Sequence, residues 1–146
     1  MTVAASGDIG VVGEPCNLIA ALNGGKFRPV KRVSLPTSDP LVQAAGGTSL
    51  DANHQTGAYV SETAWGLPFG TPGSAFQASG GGFSRVFSRP GYQDHVPGIR
   101  AARGVPDVAA DASGHTGMAP VNSDHGHPFI PNSGGTSASP PSGPGS

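Results

Sequence analysis

The chain has 146 residues, the length of one small domain. Gly and Pro make up about 27% of it, while Leu, Ile, Val and Phe make up only about 19%, a composition that leans toward loops around a thin core. The formal net charge is only −1, whereas disordered chains usually join low hydrophobicity to high net charge, so the balance fits part of an irregular domain better than a complete one. Eight Lys and Arg spread along the chain make no nucleic-acid footprint, and the one local cluster, Lys26, Arg28, Lys31 and Arg32, reads as a solvated loop. No apolar run approaches the ~20 residues of a membrane span. Cys16 is the only cysteine, which excludes an internal disulfide and a cysteine metal cluster. No basic region followed by an apolar stretch marks a secretory signal at the start.

In chain order, Thr2 to Ala5 predicts a short strand ending at Ser6-Gly7-Asp8. A short helix is expected around Cys16 to Leu22, ended by Gly24-Gly25. Leu41 to Ala45 reads as a strand or buried run stopped by a turn at Gly46-Gly47. Residues 66–82 read as a loop, Val105 to Ala112 as a buried strand containing Asp107, and Met118 to Val121 as a further short strand. Residues 122–133 look like a loop, and the Pro/Gly/Ser-rich residues 139–146 like a flexible tail. Strands that end in glycine turns suggest an open α/β architecture with its site beyond the carboxyl ends of the strands. Such sheets normally need covering helices, and few are legible here.

Three strings could carry chemistry. Gly134-Gly135-Thr136-Ser137-Ala138-Ser139-Pro140 places a Ser after small residues that allow close approach of a substrate, although a Ser is a weak nucleophile until a base takes its proton. Asp8 stands at a predicted strand end, where an Asp is ordinarily a turn or cap residue. Ser79-Gly80-Gly81-Gly82-Phe83-Ser84, with Phe87, Pro90, Tyr92 and Gln93 behind it, is either a flexible linker or a surface on which a peptide backbone can lie. His125 and His127, with His115 and Asp124 nearby in sequence, could hold a metal if 125–127 were a strand; a loop is the plainer expectation. Asp107 and Asp111 are expected to be structural, and Trp65 to be core or pocket wall.

Taken in order, these strings resemble the motifs of the sedolisin family, the serine-carboxyl peptidases. Ser6-Gly7-Asp8 is similar to the family's Ser-Gly-Asp strand end. Pro36, Ser38, Asp39, Pro40, Val42 and Gly46-Gly47-Thr48-Ser49-Leu50 resemble its next segment, and Glu62-Thr63-Ala64-Trp65 the motif that follows. Ser79 to Ser84 resembles its Gly-rich segment, Arg103-Gly104-Val105-Pro106-Asp107-Val108-Ala109-Ala110 the succeeding strand, and Gly134 to Pro140 the nucleophile motif. The resemblance covers roughly residues 1–140.

The resemblance implies a subtilisin-like α/β fold, a parallel sheet with flanking helices, incomplete in this chain. It implies Ser137 as nucleophile, Asp8 in the oxyanion hole, and Gly80, Gly81 and Gly82 as substrate-binding. A carboxylate cannot donate a hydrogen bond, so an oxyanion-hole Asp works only when protonated, which implies acid operation. The family's base is a Glu oriented by an Asp four residues later on one helix. Neither Glu14 nor Glu62 is followed by such an Asp. The pair is therefore expected before Met1 and the family's calcium segment after Ser146, leaving residues 1–138 as a partial peptidase domain with no metal ligands or cofactor of its own. A peptide or protein substrate is implied, with no nucleic acid or membrane partner, in an extracellular or otherwise acidic setting. Serine endopeptidase and tripeptidyl-peptidase activities both remain open. The isolated chain is expected to be inactive, and two other readings stand beside it: a non-catalytic peptide-binding module on Gly80 to Gly82, and a degenerate remnant that does not fold alone.

Overall fold

The structure, a computed structural model, describes residues 2–12, 30–67, 77–117, 119–129 and 133–138, without the side chains of Asp124 and Phe129. Its centre is strand β2 (Val42–Ala52). β1 (Thr2–Ala5) runs parallel to its first half, Thr2 opposite Val42 and Ala5 opposite Ala45. β6 (Val108–Asp111) runs parallel to its middle, Ala45 opposite Val108 and Thr48 opposite Asp111. β3 (Tyr59–Ala64) returns antiparallel against its second half, Thr48 opposite Ala64. Ala45 pairs with both β1 and β6, and Thr48 with both β3 and β6, so β1 and β3 follow one another along one edge of β2 while β6 occupies the other.

Two smaller ladders complete the described residues. β4 (Gly82–Ser88) pairs antiparallel with β5 (Ala102–Val105), and β7 (Asn122–Asp124) with β8 (His127–Phe129). Helical structure among the described residues is confined to the three-residue 3-10 turns Gly10–Val12, Gly91–Gln93 and Thr136–Ala138.

Several sequence expectations change. β2 does not stop at Gly46-Gly47 but runs through them. A Cβ on Gly46 would meet the Pro106 ring, and one on Gly47 would stand 2.6 Å from the Ala112 Cβ, so these glycines serve inter-element packing rather than a turn. Val105 to Ala112 is not one buried strand. Pro106, which has no N–H for a ladder, separates β5 from β6, and Val108 is 46% exposed. Residues 119–121 lie outside any strand, and the expected loop 122–133 instead carries the β7–β8 hairpin, with His125 (φ 47°) and Gly126 (φ 83°) at its turn. Gly66 and Ala78 form an isolated bridge inside the expected loop 66–82. The helix around Cys16 to Leu22 and the tail at 139–146 lie outside the described residues.

The core is small and unusually polar. Among the described residues its buried apolar side chains are Ala44, Ala45, Trp65, Val105 and Ala112, and its largest fully buried ones are Arg103, Thr37 and Thr136. Buried charge needs partners, and Arg103 has them. Its guanidinium bonds Asp107 Oδ1 and Oδ2 at 2.6 Å each and the carbonyls of Val42 and Thr37 at 3.2 and 3.4 Å. Gln93 bonds Asp107 Oδ1 and the Gly104 carbonyl, both at 2.9 Å, and Asp107 Oδ2 accepts the Ala44 N–H at 2.8 Å. Tyr92 lays its ring 5.6 Å from the guanidinium carbon. Burial works to raise the Asp107 carboxyl, but the hydrogen bonds from Arg103 and Ala44, the Arg103 charge and Gln93 outweigh it and hold the group below the usual carboxylate range. The network ties β5, the turn before β6, the start of β2 and the 91–93 turn into one unit. Asp107 and Asp111 are structural, as expected. Asp111 Oδ1 accepts the Ser113 N–H and the Thr116 hydroxyl, both at 3.1 Å.

Candidate active site

Because β1 and β6 are parallel, their carboxyl ends open on the same side of the sheet, where open α/β folds place ligands. Ser6-Gly7-Asp8 leaves β1 there, and Ala112-Ser113-Gly114 leaves β6. The segment 133–138 docks across both. The Gly135 N–H bonds the Ala112 carbonyl at 2.7 Å. The Thr136 amide and hydroxyl both donate to Asp8 Oδ1, at 2.7 and 2.8 Å, and the Gly7 N–H donates to Thr136 Oγ1 at 3.0 Å. Thr136 is fully buried in making these bonds, and Ser137 beside it is exposed.

Gly135 fits this junction for two reasons. Its φ of 101° is one that side chains rarely adopt, and a Cβ there would stand 2.8 Å from Asp8 Oδ2. That second carboxyl oxygen carries no hydrogen bond among the described residues. It lies against the backbone of Gly135, and Asp8 lines a hollow of about 260 Å³ with Trp65, Gln77, Gly114, Gly134 and Gly135. Trp65 is thus both core and pocket wall, 6% exposed.

The Gly-rich segment reaches the same place from another direction. Ala78 N–H bonds the Asp8 carbonyl at 2.9 Å, Gly10 N–H bonds the Ala78 carbonyl at 2.9 Å, and Gly80 N–H bonds the Gly7 carbonyl at 2.6 Å. Ser79 Oγ accepts the Gly47 N–H at 2.9 Å. Gly80 itself is buried, and a Cβ on it would overlap the Ser6 carbonyl, so it is the point where this segment grips the end of β1. Gly81 and Gly82 line a neighbouring cleft of about 350 Å³ with Val11, Lys31, Arg32, Phe83 and Arg85.

The structure therefore brings Asp8, Ser137 and the triple-glycine segment together at one end of the sheet, from positions far apart in the chain. Glu62 is not there: its carboxylate takes the Thr48 hydroxyl at 2.6 Å on the exposed β2–β3 hairpin. Glu14 lies outside the described residues. Among the described residues no three His, Cys, Asp or Glu side chains gather as a metal site. Thr136 is the site residue that sequence reasoning passed over. Its signal was its place between Gly135 and Ser137, but nothing in the string itself shows that its hydroxyl points back to a strand end 128 residues earlier.

Asp8 and the Gly-Thr-Ser turn that carries Ser137 are thus joined at the carboxyl ends of parallel strands. No family model matches the chain. It is 38% identical over 112 residues to sedolisin of Pseudomonas sp. (strain 101), covering 77% of this chain and 18% of that protein. It is 38% identical over 92 residues to kumamolisin of Bacillus sp. (strain MN-32), covering 58% and 15%. The solved structure of Pseudomonas sedolisin, a serine-carboxyl proteinase complexed with two molecules of pseudo-iodotyrostatin, superposes with a TM-score of 0.69 at 35% identity, over 95% of this chain and 34% of that one. The chain belongs to the sedolisin family. It spans less than a fifth of the length of these two curated relatives.

Proposed function

We propose that these residues carry the nucleophile and the oxyanion donor of an acid-acting serine peptidase. The observation that carries this is the junction of Asp8 with Thr136. Oδ1 is committed to two donors, which leaves Oδ2 as the oxygen that can hold a proton. Protonated, it donates a hydrogen bond toward the neighbourhood of Ser137, where a tetrahedral oxyanion would form. Ionised, it repels that charge. A carboxylate has no proton to donate, so this role needs Asp8 in its acid form, and acid operation follows from the residue type.

In this reading Ser137 Oγ bonds to the scissile carbonyl carbon and its proton passes to a base. The carbon–nitrogen bond then breaks as that proton moves to the leaving amine, and water releases the acyl group from Ser137. A carboxylate suits the base role, because a His would already be protonated at such pH. Among the described residues no carboxylate other than Asp8 lines the hollow walled by Gly134 and Gly135. The base, and any helices that flank the sheet, come in this proposal from residues beyond the 146, which by themselves are inactive. Calcium, if the whole protein binds it, is held there too. Peptides or proteins are the substrate class, and an extracellular or acidic compartment is the setting.

The test is hydrolysis of acid-denatured protein between about pH 3 and 6, around the carboxylate reference values. It compares the 146-residue chain with the product of the whole reading frame that contains it. Cleavage by the longer product alone, abolished by Ser137→Ala, supports the proposal. Cleavage that survives Ser137→Ala sinks it.

A further inference from the structure

The cleft beside Gly81 and Gly82 has an electrostatic character that the proposed hydrolysis does not use. Lys31, Arg32 and Arg85 line it together with Val11 and Phe83, and no Asp or Glu lines it among the described residues. Phe83 and Arg85 are two apart on β4, so they share one face of that strand, while Ser84 between them is buried on the other. Phe83 is 55% exposed and offers an apolar wall. Lys31 and Arg32 come from the opposite side, where the Arg32 N–H bonds the Val11 carbonyl at 3.0 Å and Val33 would contact a Cβ on Gly82. Arg32 Nε is buried with no hydrogen-bond partner. Buried donors normally find an acceptor, and a carboxylate is the acceptor that a guanidinium fork binds best. None of the three cations pairs with a carboxylate among the described residues.

The cleft is joined to the candidate active site through the backbone. Gly80, directly before it, bonds the Gly7 carbonyl next to Asp8, and Val11, on its wall, lies three residues past Asp8. We propose that this cleft is a subsite for an acidic side chain of the peptide substrate, its carboxylate among Lys31, Arg32 and Arg85 and its methylenes on Phe83. The proposal rests on the peptidase reading above and adds a substrate preference to it.

The test uses the product of the whole reading frame and C-terminally amidated peptides in which one Glu, or one Gln, is moved stepwise along the sequence. At about pH 5, where a Glu of reference acidity 4.3 is mostly ionised, one position should favour Glu over Gln by about tenfold in kcat/KM. The preference should shrink toward unity at pH 3, as the substrate carboxyl takes up its proton. Arg85→Gln and Lys31→Gln, both exposed positions, should each lower the Glu/Gln ratio. Cleavage with no Glu preference at any position overturns the subsite and leaves the peptidase reading standing. A preference for Gln peptides with a free C-terminus, and none for an internal Glu, also overturns it, because the carboxylate recognised is then the chain end. No cleavage of any peptide overturns both.

Discussion

Asp8 Oδ1 accepts hydrogen bonds from both the amide and the hydroxyl of Thr136, at 2.7 and 2.8 Å, across 128 positions of sequence. This pair joins the end of β1 to the Gly-Thr-Ser turn and fixes which carboxyl oxygen is left without these two donors. Under the proposed function Thr136 is a positioning residue, acting through Asp8.

Replacing Thr136 by Ala removes the hydroxyl that bonds Asp8 and accepts from Gly7, leaving a buried N–H and carboxyl oxygen short of a partner. In the product of the whole reading frame, kcat should fall about 10- to 100-fold with little change in KM, since orientation at the reacting centre is what is lost. Thr136→Ser keeps the hydroxyl and should recover most of it. Steady-state kinetics on one peptide at one acid pH decides. A change confined to KM, or equal losses in both variants, contradicts the assignment.

Asp8→Asn keeps an oxygen for Thr136 and places an NH₂, a donor at every pH, where Oδ2 stands. The neutral-side limb of the pH–activity profile should therefore extend upward. Asp8→Ala should lose roughly 100- to 1,000-fold in kcat, as removal of one oxyanion donor does elsewhere. A profile for Asp8→Asn that superposes on the parent's would show that protonation of Asp8 does not set that limb.

The Arg103–Asp107 pair bears on acid tolerance. Asp107 is held below the usual carboxylate range in the folded state, so its contribution to stability is present above the unfolded value and lost only as pH falls through the lower folded value. Asp107→Asn leaves Arg103 buried without its anion and should destabilise by about 3–5 kcal/mol near pH 5. The gap should narrow below the ordinary carboxylate range, as the parent's own Asp107 takes up a proton. Denaturant midpoints of the whole-frame product and its Asp107→Asn variant at pH 5 and pH 2 measure it, and a gap that stays constant contradicts the assignment.

Gly80→Ala should harm both stability and turnover. Its Cβ has no place to go except into the Ser6 carbonyl, so the strand end that carries Asp8 must move. A loss of about 1–3 kcal/mol is expected from the overlap alone. Wild-type thermal stability in Gly80→Ala would show that the two backbones are not in contact.

The 146 residues on their own should show no cooperative thermal transition. Their buried apolar side chains among the described residues are three alanines, one Val and one Trp, while β3 is exposed along its whole length and Leu41 is 87% exposed. Calorimetry checks this, and a single sharp endotherm would overturn it.

What the sequence revealed, and what it hid, follows the range of the interactions. β1 and its end at Asp8 were legible because apolar periodicity and a Gly turn are local signals. The family was legible because motifs keep their order. The passage of β2 through Gly46-Gly47 was not, because paired glycines read as a turn unless Pro106 and Ala112 are known to press against them. The division at Pro106 was missed because apolar neighbours masked a residue that cannot donate to a ladder. Arg103 was visible within its motif, but its role depends on the Thr37 and Val42 carbonyls, and on Asp107 held by Gln93, coming to it from other segments. Thr136 was overlooked for the same reason, its partner being at the far end of the chain. The basic cluster read as a solvated loop proves divided: Lys31 is exposed and Arg32 half-buried against the Gly-rich segment, while Lys26 and Arg28 lie outside the described residues.

In the proposed mechanism Ser137 forms the covalent intermediate. Its most direct test is acid-quench mass spectrometry of the whole-frame product during turnover of a slow ester substrate at about pH 4, near the carboxylate reference values. The mass of the acyl group should appear on the proteolytic peptide containing Ser137, accumulate within the first turnover, and be absent from Ser137→Ala. Continued hydrolysis with no acyl group on that peptide, or with the label on another residue, would contradict the claim.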